Sequence, residues 1–418
     1  MATIWRMAVC CLIARYPSQT QAASAISGTG RVALELRKNG EFVDAKTYSP
    51  RNQEEDADWS RQLQSPEVKS SCQPTKEDGK IVLVTGTAGF IGYHSALALR
   101  KRGDGVLGLD NFNSYYPKSL KRDRAKSLME AGVVTLQADL NDADALHAAF
   151  TRCNFTHVLA LAAQAGVRYA TKDPGSYAKS NVAGFISLLE VARARHPMPR
   201  IVYASSSSVY GLNTKVPFSE ADAVDRPASL YAATKRENEL LAHTYNHIYG
   251  LALTGLRFFT VYGPWGRPDM AVYAFANKIT KGEPVRIFQG PDGSELERDF
   301  TYIDDIVAGC LAAVDHIGPS IKPAPLKIYN LGNEHPEPVS KLLHILEELM
   351  GKKATPEYAA LPALGDVLRT HADVQLARQE LGYEPRTSLH EGVSKFVQWY
   401  QDYYKDGLDA SMLEYTPL

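Results

Sequence analysis

Short apolar runs alternate with amphipathic stretches along the chain from Lys80 onward. The runs are rich in Val, Ile, Leu and Ala, which is typical of strands buried on both faces of a parallel sheet. Strands that alternate with helical segments form βαβ units and indicate a doubly wound α/β fold, whose ligands bind beyond the strand carboxyl ends. The predicted strands are Ile81–Thr85, Val106–Asp110, Val133–Asp139, His157–Ala162, Ile201–Ser205 and Leu251–Phe258.

The same pattern divides the chain into regions. Residues 1–78 are polar and irregular, so we expect an N-terminal extension and linker outside the fold. An α/β chain of this length often combines a cofactor half and a substrate half. We expect residues 79–258 to form the cofactor-binding domain, 259–405 mainly the substrate-binding lobe, and 406–418 a C-terminal tail. Helical spacing of apolar residues predicts a terminal helix over Leu389–Tyr404.

Composition excludes several classes of protein. Hydrophobic residues make up 44% and charged residues 22% of the chain, as in ordinary globular proteins. The net charge of −1 gives no basic surface for nucleic acid. The longest apolar candidate, Met7–Ala14, is shorter than the roughly 18 residues of a spanning helix, so no clear membrane span is predicted.

The N-terminal residues have an unusual charge pattern. The first 34 residues contain Arg6, Arg15 and Arg31 but no acidic residue. Such a composition occurs in organelle transit segments and weak signal peptides, and an unstructured cytosolic extension fits equally. We expect a cytoplasmic protein, with organelle or Golgi targeting by the extension as the alternative.

The five cysteines form no Cys-x-x-Cys pair and no metal-ligand cluster with histidine. Their odd number also argues against a disulfide framework. We therefore expect free thiols in a reducing compartment, and no metal site. The cysteines are Cys10, Cys11, Cys72, Cys153 and Cys310.

A glycine-rich turn follows the first predicted strand. Gly86, Gly89 and Gly92 allow a sharp turn, close approach to a pyrophosphate and tight packing of the next helix. A plain tight turn would use the same glycines, but Asp110 ends the second strand, where a carboxylate can hold an adenosine ribose. Its charge would repel a 2′-phosphate, so NAD is favoured over NADP. Asp139–Leu140 at the third strand end is placed to flank the adenine, or Asp139 caps a helix.

Tyr231 and Lys235 lie four residues apart, so a helix places the phenol and the ammonium on one face. Tyrosine, with a reference pKa of about 10, is a weak base at neutral pH, but an adjacent ammonium and a positive nicotinamide favour its phenolate. The pair follows the hydroxyl-rich run Ser205–Gly211 at a strand end, where a sugar can bind. Taken alone, the spacing of Tyr231 and Lys235 is also typical of a surface pair, and the serine run is also typical of a polar turn. Together, the two motifs indicate a catalytic site.

The chain carries six motifs in sequence order: the glycine turn, Leu161–Arg168, the serine run, Tyr231 with Lys235, Arg257–Arg267 and Arg298–Asp305. In this order, the motifs resemble the extended short-chain dehydrogenases of the NAD-dependent epimerase/dehydratase family, and most closely the UDP-glucuronate 4-epimerases. The resemblance covers the chain from about Lys80 to about Tyr404. It implies a Rossmann-type doubly wound parallel sheet with a smaller C-terminal substrate-binding lobe, and a homodimer.

The resemblance also implies an isomerase of nucleotide-sugar metabolism. Its members use bound NAD to invert carbon 4 of a UDP-sugar through a transient 4-keto intermediate, and UDP-glucuronate, giving UDP-galacturonate, is the expected substrate. Tyr231 is implied as the base that removes the 4-hydroxyl proton, with Lys235 and Ser206 beside it. Asn181, Arg298 and Asp366 are implied to contact the UDP part; a helix cap, a surface ion pair and a turn aspartate are the alternatives.

The resemblance implies a set of cofactor-binding residues and a set of substrate-binding residues. The sequence differs from the family pattern at one place. Pro362–Leu364 stands where UDP-galactose-type epimerases usually place an arginine, which puts a second phosphate contact in doubt. The implied cofactor-binding residues are Gly86, Gly89, Phe90, Ile91, Gly92, Asp110, Asn111, Asp139, Leu140, Leu161, Ala162, Ala163, Tyr231 and Lys235. The implied substrate-binding residues are Arg168, Asn181, Ser206, Ser207, Ser208, Thr260, Arg267, Arg298 and Asp366, with Ser207, Ser208, Thr260 and Arg267 around the sugar carboxylate.

Several related activities share this fold and tyrosine. Dehydratases of the superfamily carry an Asp-Glu pair where this chain has Ser207 and Ser208, and decarboxylases typically carry a glutamate at the position of Ser208. Epimerisation is therefore favoured, with a UDP-glucose 4-epimerase, a UDP-glucuronate decarboxylase or a 4,6-dehydratase as alternatives. A non-catalytic NAD-sensing protein is a further alternative, which the presence of both Tyr231 and Lys235 disfavours.

Overall fold

The computed structural model divides the chain into two compact units, residues 1–55 and 56–418. In the first unit, strands β1 (Arg37–Lys38) and β2 (Glu41–Phe42) pair in antiparallel register. The arginines of the predicted targeting segment, Cys10 and Cys11 lie outside the described residues. The structure describes residues 37–38, 41–42, 59–362, 365–408 and 412.

A seven-stranded parallel sheet forms the centre of the second unit. Its strands are β3 (Ile81–Thr85), β4 (Gly105–Asp110), β5 (Val134–Gln137), β6 (His157–Ala160), β7 (Arg200–Ser206), β8 (Leu253–Phe258) and β12 (Leu326–Leu331). Every strand predicted from the sequence is confirmed, whereas β12 was not predicted. The strand order β12-β8-β7-β6-β3-β4-β5 reverses between β3 and β6, which opens a crevice beyond their carboxyl ends.

Helices cover both faces of the sheet because strand residues alternate between two cores. In β3, Val82 and Val84 lie in one hydrophobic cluster and Leu83 lies in the other. The predicted terminal helix is confirmed. The helices are α1 (Trp59–Gln64), α2 (Pro66–Ser71), α3 (Phe90–Lys101), α4 (Lys118–Glu130), α5 (Ala143–Arg152), α6 (Pro174–Tyr177), α7 (Gly184–Arg193), α8 (Leu230–Tyr249), α9 (Ala271–Lys281), α10 (Ile303–His316), α11 (Val339–Met350), α12 (Gln375–Leu381) and α13 (Leu389–Tyr403).

A smaller lobe contains the remaining strands, and the chain crosses between it and the sheet more than once. β11 (Glu297–Tyr302) pairs in parallel with β9 (Thr260–Tyr262) and antiparallel with β13 (Pro336–Pro338). β10 (Val285–Gln289) and β14 (Pro356–Ala360) form a separate parallel pair. β12 then returns to the large sheet beside β8. The region after residue 258, predicted to be mainly the substrate-binding lobe, thus also supplies the last strand of the large sheet.

The predicted boundary at residue 78 is wrong. Leu63 of α1 and Val68 of α2 are buried in the core that contains Leu83. The side-chain carbonyl of Gln62 accepts a hydrogen bond of 3.0 Å from the backbone N–H of Gln137, so α1 covers the edge strand β5. Helices of six residues are too short to show a reliable periodicity, which explains why the sequence pattern missed them.

A disulfide joins Cys72, directly after α2, to Cys153, directly after α5, with 5.9 Å between the two Cα atoms. The expectation of free thiols is therefore wrong for this pair. The two cysteines are 81 residues apart in sequence, so no spacing motif connects them. Cys310 is a buried free thiol.

Removing residues 1–78 should therefore destabilise the enzyme, whereas removing residues 1–55 should not. The longer deletion removes two buried apolar side chains, worth roughly 1.5–3 kcal/mol each, and a disulfide worth about 2–4 kcal/mol. We expect its thermal midpoint to fall by about 10 °C or more, as measured by calorimetry. The shorter deletion ends at the boundary between the units and is the control. Equal midpoints for the two deletions would contradict the role assigned to α1 and α2.

Candidate active site

The glycine turn packs tightly against the end of β6. Gly86 has φ of +75°, and a Cβ atom there would lie 2.9 Å from the Cα atom of Ala162. A Cβ atom on Gly92 would lie 2.0 Å from the carbonyl oxygen of Gly86, so neither position accepts a side chain. Helix α3 begins at Phe90, and the unpaired N–H groups of its first turn suit a phosphate. The turn thus fits the pyrophosphate of NAD.

Asp110, at the end of β4, is fixed between the glycine turn and the following loop. Its Oδ2 accepts the N–H of Ala88 at 3.0 Å, and its Oδ1 accepts the N–H of Phe112 at 2.8 Å. Each carboxylate oxygen has a second lone pair for a ribose hydroxyl. The side chain of Asn111 donates to Asp139 at 2.9 Å.

Asp139 does not cap the next helix, because the N-cap of α5 is Asp142. Partial burial raises the pKa of the Asp139 carboxyl, but hydrogen bonds from Asn111 and Asn141 outweigh burial and lower it. Asp139 is therefore an ionised acceptor beside Leu140 in the cavity, as the prediction of an adenine-flanking pair requires.

Replacing Asp110 by Asn should weaken the preference for NAD over NADP by roughly tenfold, which corresponds to about 1.4 kcal/mol. The substitution removes the charge that repels a 2′-phosphate but keeps an oxygen for one backbone N–H. The measurement is the amount of each nucleotide retained after loading the protein with an equimolar mixture. An unchanged ratio would show that Asp110 does not select the cofactor.

Tyr231 lies in the first turn of α8, next to Ser206 at the end of β7. Burial raises the pKa of the Tyr231 phenol, whereas the neighbouring Ser206 hydroxyl and the charge of Arg267 lower it; the net shift is upward. The charge of Arg267, which the sequence analysis did not connect with Tyr231, therefore reduces the cost of ionising the phenol. The phenol and the Ser206 hydroxyl both line the cavity, where they can exchange a proton with a substrate oxygen.

Lys235 lies one helical turn beyond Tyr231. Its Nζ donates to the backbone carbonyl of Ala204 at 2.8 Å, and burial lowers its pKa to about 8. The ammonium remains mostly charged at neutral pH. Because it lines the cavity and has two further N–H donors, Lys235 can hold a cofactor hydroxyl group.

Hydroxyl groups and one more guanidinium also line the cavity, namely those of Ser207, Ser208, Thr260 and Arg267. The guanidinium of Arg267 is paired with Asp269, with Nε to Oδ1 at 3.0 Å and Nη2 to Oδ2 at 2.5 Å. Asp269 was not predicted, and it also accepts a hydrogen bond of 3.0 Å from the hydroxyl of Tyr115. Asp269 therefore orients the arginine that was predicted to bind a carboxylate.

Two more predicted residues meet Asp366 in another part of the cavity. Nε of Arg168 donates to Oδ2 of Asp366 at 2.8 Å, and Nη2 of Arg298 lies 3.9 Å from Oδ1. The guanidinium of Arg168 stacks 4.5 Å from the ring centre of Phe288. Two guanidinium groups and one carboxylate leave a net positive charge, which suits a diphosphate. Ala363 and Leu364 lie outside the described residues.

Asn181 is not in the cavity, and the prediction that its side chain contacts the UDP part needs correction. Its Oδ1 accepts the N–H of Gln164 at 2.8 Å. Its Nδ2 donates to the carbonyl of Gln164 at 3.0 Å and to the hydroxyl of Thr234 at 3.0 Å. Asn181 therefore fixes the loop after β6 against the catalytic helix, and the neighbouring Ser180 lines the cavity instead.

A cavity of about 790 Å³ collects all the other predicted site residues. It is also lined by residues that the sequence did not indicate, among them Tyr115, Lys121, Gln164, Asp269 and Phe288. Lys121 is buried, and its Nζ donates to Oδ1 of Asn113 at 2.7 Å. A lysine in an amphipathic helix ordinarily faces solvent, so no local signal marked it.

Neither a metal-binding group of side chains nor a membrane-spanning helix is found in the described part of the chain. No group of histidine, cysteine or acidic side chains is arranged to hold a metal ion. Within the same residues, no helix has both the length and the apolar character needed to cross a lipid bilayer.

Comparison with known proteins places this site in context. Residues 82–332 match the NAD dependent epimerase/dehydratase family. UDP-glucuronate 4-epimerase 5 of Arabidopsis thaliana is 56% identical over 353 residues, covering 83% of this chain and 80% of the relative. The structure of UDP-glucuronic acid 4-epimerase from Bacillus cereus with UDP-glucuronic acid and NAD has a TM-score of 0.70 and 32% identity, covering 77% and 99%. UDP-glucose 4-epimerase from Thermotoga maritima has a TM-score of 0.68 and 31% identity, with the same coverage.

Proposed function

The chain belongs to the NAD dependent epimerase/dehydratase family, and on this basis we propose that it inverts carbon 4 of UDP-glucuronate to give UDP-galacturonate. The observation that carries the proposal is that Tyr231 and Ser206 line one cavity together with the glycine turn and Arg267. This arrangement supports oxidation and reduction at one sugar carbon. Arg267 supports a sugar that carries a carboxylate.

Tyr231 removes the proton from the 4-hydroxyl group, and the Ser206 hydroxyl donates a hydrogen bond that stabilises the charged oxygen. When bound, NAD supplies a hydride acceptor, and after reduction a hydride donor, for carbon 4. When the sugar presents its opposite face, Tyr231 returns the proton to the oxygen at carbon 4. Burial raises the pKa of Tyr231, and the charge of Arg267 opposes this rise, which makes the phenolate less costly to form.

The substrate is held at two places while its ring turns. Arg168 and Arg298 bind the diphosphate, and Arg267 with Thr260 binds the sugar carboxylate. Holding the diphosphate fixed keeps carbon 4 within reach of Tyr231 in both orientations.

The polar groups of the cavity disfavour the related eliminations. Among the described residues that line it, the carboxylates are Asp110, Asp139, Asp269 and Asp366. None stands at Ser207 or Ser208, where a dehydratase or a decarboxylase carries an acid. Without an acid there, the keto sugar is reduced again instead of losing water or carbon dioxide.

The test is to incubate the purified protein with UDP-glucuronate, UDP-glucose or UDP-xylose, without added NAD, and to separate the products by chromatography. We expect UDP-galacturonate to form fastest. UDP-galactose as the main product would instead support the UDP-glucose epimerase, and a UDP-pentose from UDP-glucuronate would support the decarboxylase.

We also propose that two copies of the chain pair through α8. Leu240, Thr244 and Ile248 share one face of this helix, and Leu240 and Ile248 are 52% and 50% exposed. Light scattering should give twice the chain mass, and Leu240→Asp should give monomers. A parent protein of single chain mass would contradict the pairing.

We propose that the protein works in an oxidising compartment. This agrees with organelle or Golgi targeting by the N-terminal extension, which the sequence analysis gave as the alternative to the cytoplasm. The disulfide between Cys72 and Cys153 supports this, since such bonds persist where thiols are not kept reduced. Mass spectrometry of non-reduced protein from its native cells should find the two cysteines linked. Free thiols at both positions would support the cytoplasm.

A further inference from the structure

Arg124 of α4 is a completely buried cation whose hydrogen-bond partners are all neutral. Its Nη1 donates to the carbonyl of Ala88 and to the hydroxyl of Tyr116, both at 2.8 Å. Its Nη2 donates to the carbonyls of Trp265 at 2.6 Å and Gly266 at 3.0 Å. In the described part of the chain, no carboxylate forms an ion pair with it. A buried charge without a counter-charge is costly, so its presence calls for an explanation beyond packing.

The acceptors of Arg124 lie on two functional segments. Ala88 belongs to the glycine turn, and its N–H donates to Asp110. Trp265 and Gly266 directly precede Arg267 in the chain. A planar guanidinium has enough donors in a fixed geometry to join both segments at once. Arg124 therefore links the cofactor turn to the loop that carries the carboxylate-binding arginine.

A second side chain holds the same loop. Nε2 of His94, on helix α3, lies 2.9 Å from the carbonyl oxygen of Pro264. Burial lowers the pKa of His94 to about 4, so the ring is neutral and donates through Nε2. Three consecutive carbonyls, from Pro264 to Gly266, are thus held by helices of the cofactor half. Trp265 has φ of +59°, a conformation that a non-glycine residue adopts only when its surroundings impose it.

We propose that Arg124 and His94 are positioning residues that act through Arg267 and determine how tightly the enzyme binds a negatively charged sugar. They do not touch the substrate themselves. Their hydrogen bonds fix the backbone before Arg267, while Asp269 orients its guanidinium. The inference rests on the proposed function, because it takes Arg267 as the carboxylate ligand.

The test is a double-mutant cycle in the NAD-loaded protein that carries Tyr231→Phe, so that substrates bind without turnover. Calorimetry gives the Kd of UDP-glucuronate and of UDP-glucose for the parent, Arg124→Met, Arg267→Met and the double variant. We expect Arg124→Met to weaken UDP-glucuronate binding by about tenfold and UDP-glucose binding by less than about twofold. In the Arg267→Met background, Arg124→Met should have little further effect, since both act through one contact.

Two further comparisons separate positioning from simple structural damage. His94→Leu should selectively weaken UDP-glucuronate binding, and His94→Gln, which can still donate to Pro264, should restore it. Arg122→Met changes an exposed arginine of the same helix and should have no effect on either sugar. If Arg124→Met does not fold, Arg124→Lys, which keeps the charge but cannot span both segments, replaces it in the cycle.

Equal losses for the two sugars, or additive effects of Arg124→Met and Arg267→Met, would overturn the inference. Failure of the proposed function gives a different result. In that case the parent would bind UDP-glucuronate no more tightly than UDP-glucose, and Arg267→Met would not change their ratio.

Discussion

Tyr231→Phe should lower turnover of UDP-glucuronate by roughly 10²–10⁴-fold, the usual contribution of a general base. The substitution removes the oxygen that accepts the 4-hydroxyl proton but leaves the ring. Binding of the UDP-sugar should change little, because the diphosphate and carboxylate contacts lie elsewhere in the cavity. The measurement is kcat from initial rates, together with Kd from calorimetry on the NAD-loaded protein.

A matched control is Tyr177→Phe. Tyr177 packs edge-to-face against Tyr231, but its hydroxyl donates to the backbone carbonyl of Ala165 at 3.1 Å. It should therefore affect stability more than the chemical step. Turnover of Tyr231→Phe within a few-fold of the parent would remove the tyrosine from the proposed mechanism.

Arg267→Met should lower kcat/KM for UDP-glucuronate by roughly 10–100-fold, because a charge-assisted hydrogen bond contributes about 1.5–3 kcal/mol. Any residual activity on UDP-glucose should fall much less, since that sugar has no carboxylate. Part of the loss will reach both sugars, because the charge of Arg267 also lowers the pKa of Tyr231. Equal losses would mean that Arg267 acts on the tyrosine alone.

Thr260 allows the orientation of the carboxylate to be tested separately from its charge. Oxidation at carbon 4 makes a β-keto acid, which loses carbon dioxide most readily when the bond to its carboxylate stands perpendicular to the ketone plane. Thr260→Val keeps the side-chain shape but removes the hydroxyl, so it should release a UDP-4-keto-pentose that mass spectrometry can detect. Thr260→Ser keeps the hydroxyl and is the control. No decarboxylated product from Thr260→Val would argue against this role.

The features predicted from the sequence are those that short segments specify. The glycine turn, the strand ends at Asp110 and Ser206, and the pair of Tyr231 and Lys235 depend on local periodicity and spacing. Because the strands of a parallel sheet end at one edge, these residues were expected to meet, and all line one cavity.

The features that were missed depend on contacts between distant segments. Cys72 pairs with Cys153, and Arg124 reaches Gly266, over separations that no local pattern records. The resemblance to the family implied a substrate contact for Asn181, but the fold pairs its amide with the backbone of Gln164, and Asn181 does not line the cavity. Asp269 lies two residues from Arg267, yet only the structure shows that the two side chains pair.

The most direct test of the central claim follows the hydrogen at carbon 4. UDP-glucuronate labelled with deuterium at carbon 4 is incubated in ordinary water with the protein as purified, without added NAD, and the UDP-galacturonate is analysed by mass spectrometry. If carbon 4 is oxidised and reduced by a cofactor that stays bound, the product retains the deuterium. A product that has lost it to water, or the absence of UDP-galacturonate, would contradict this account.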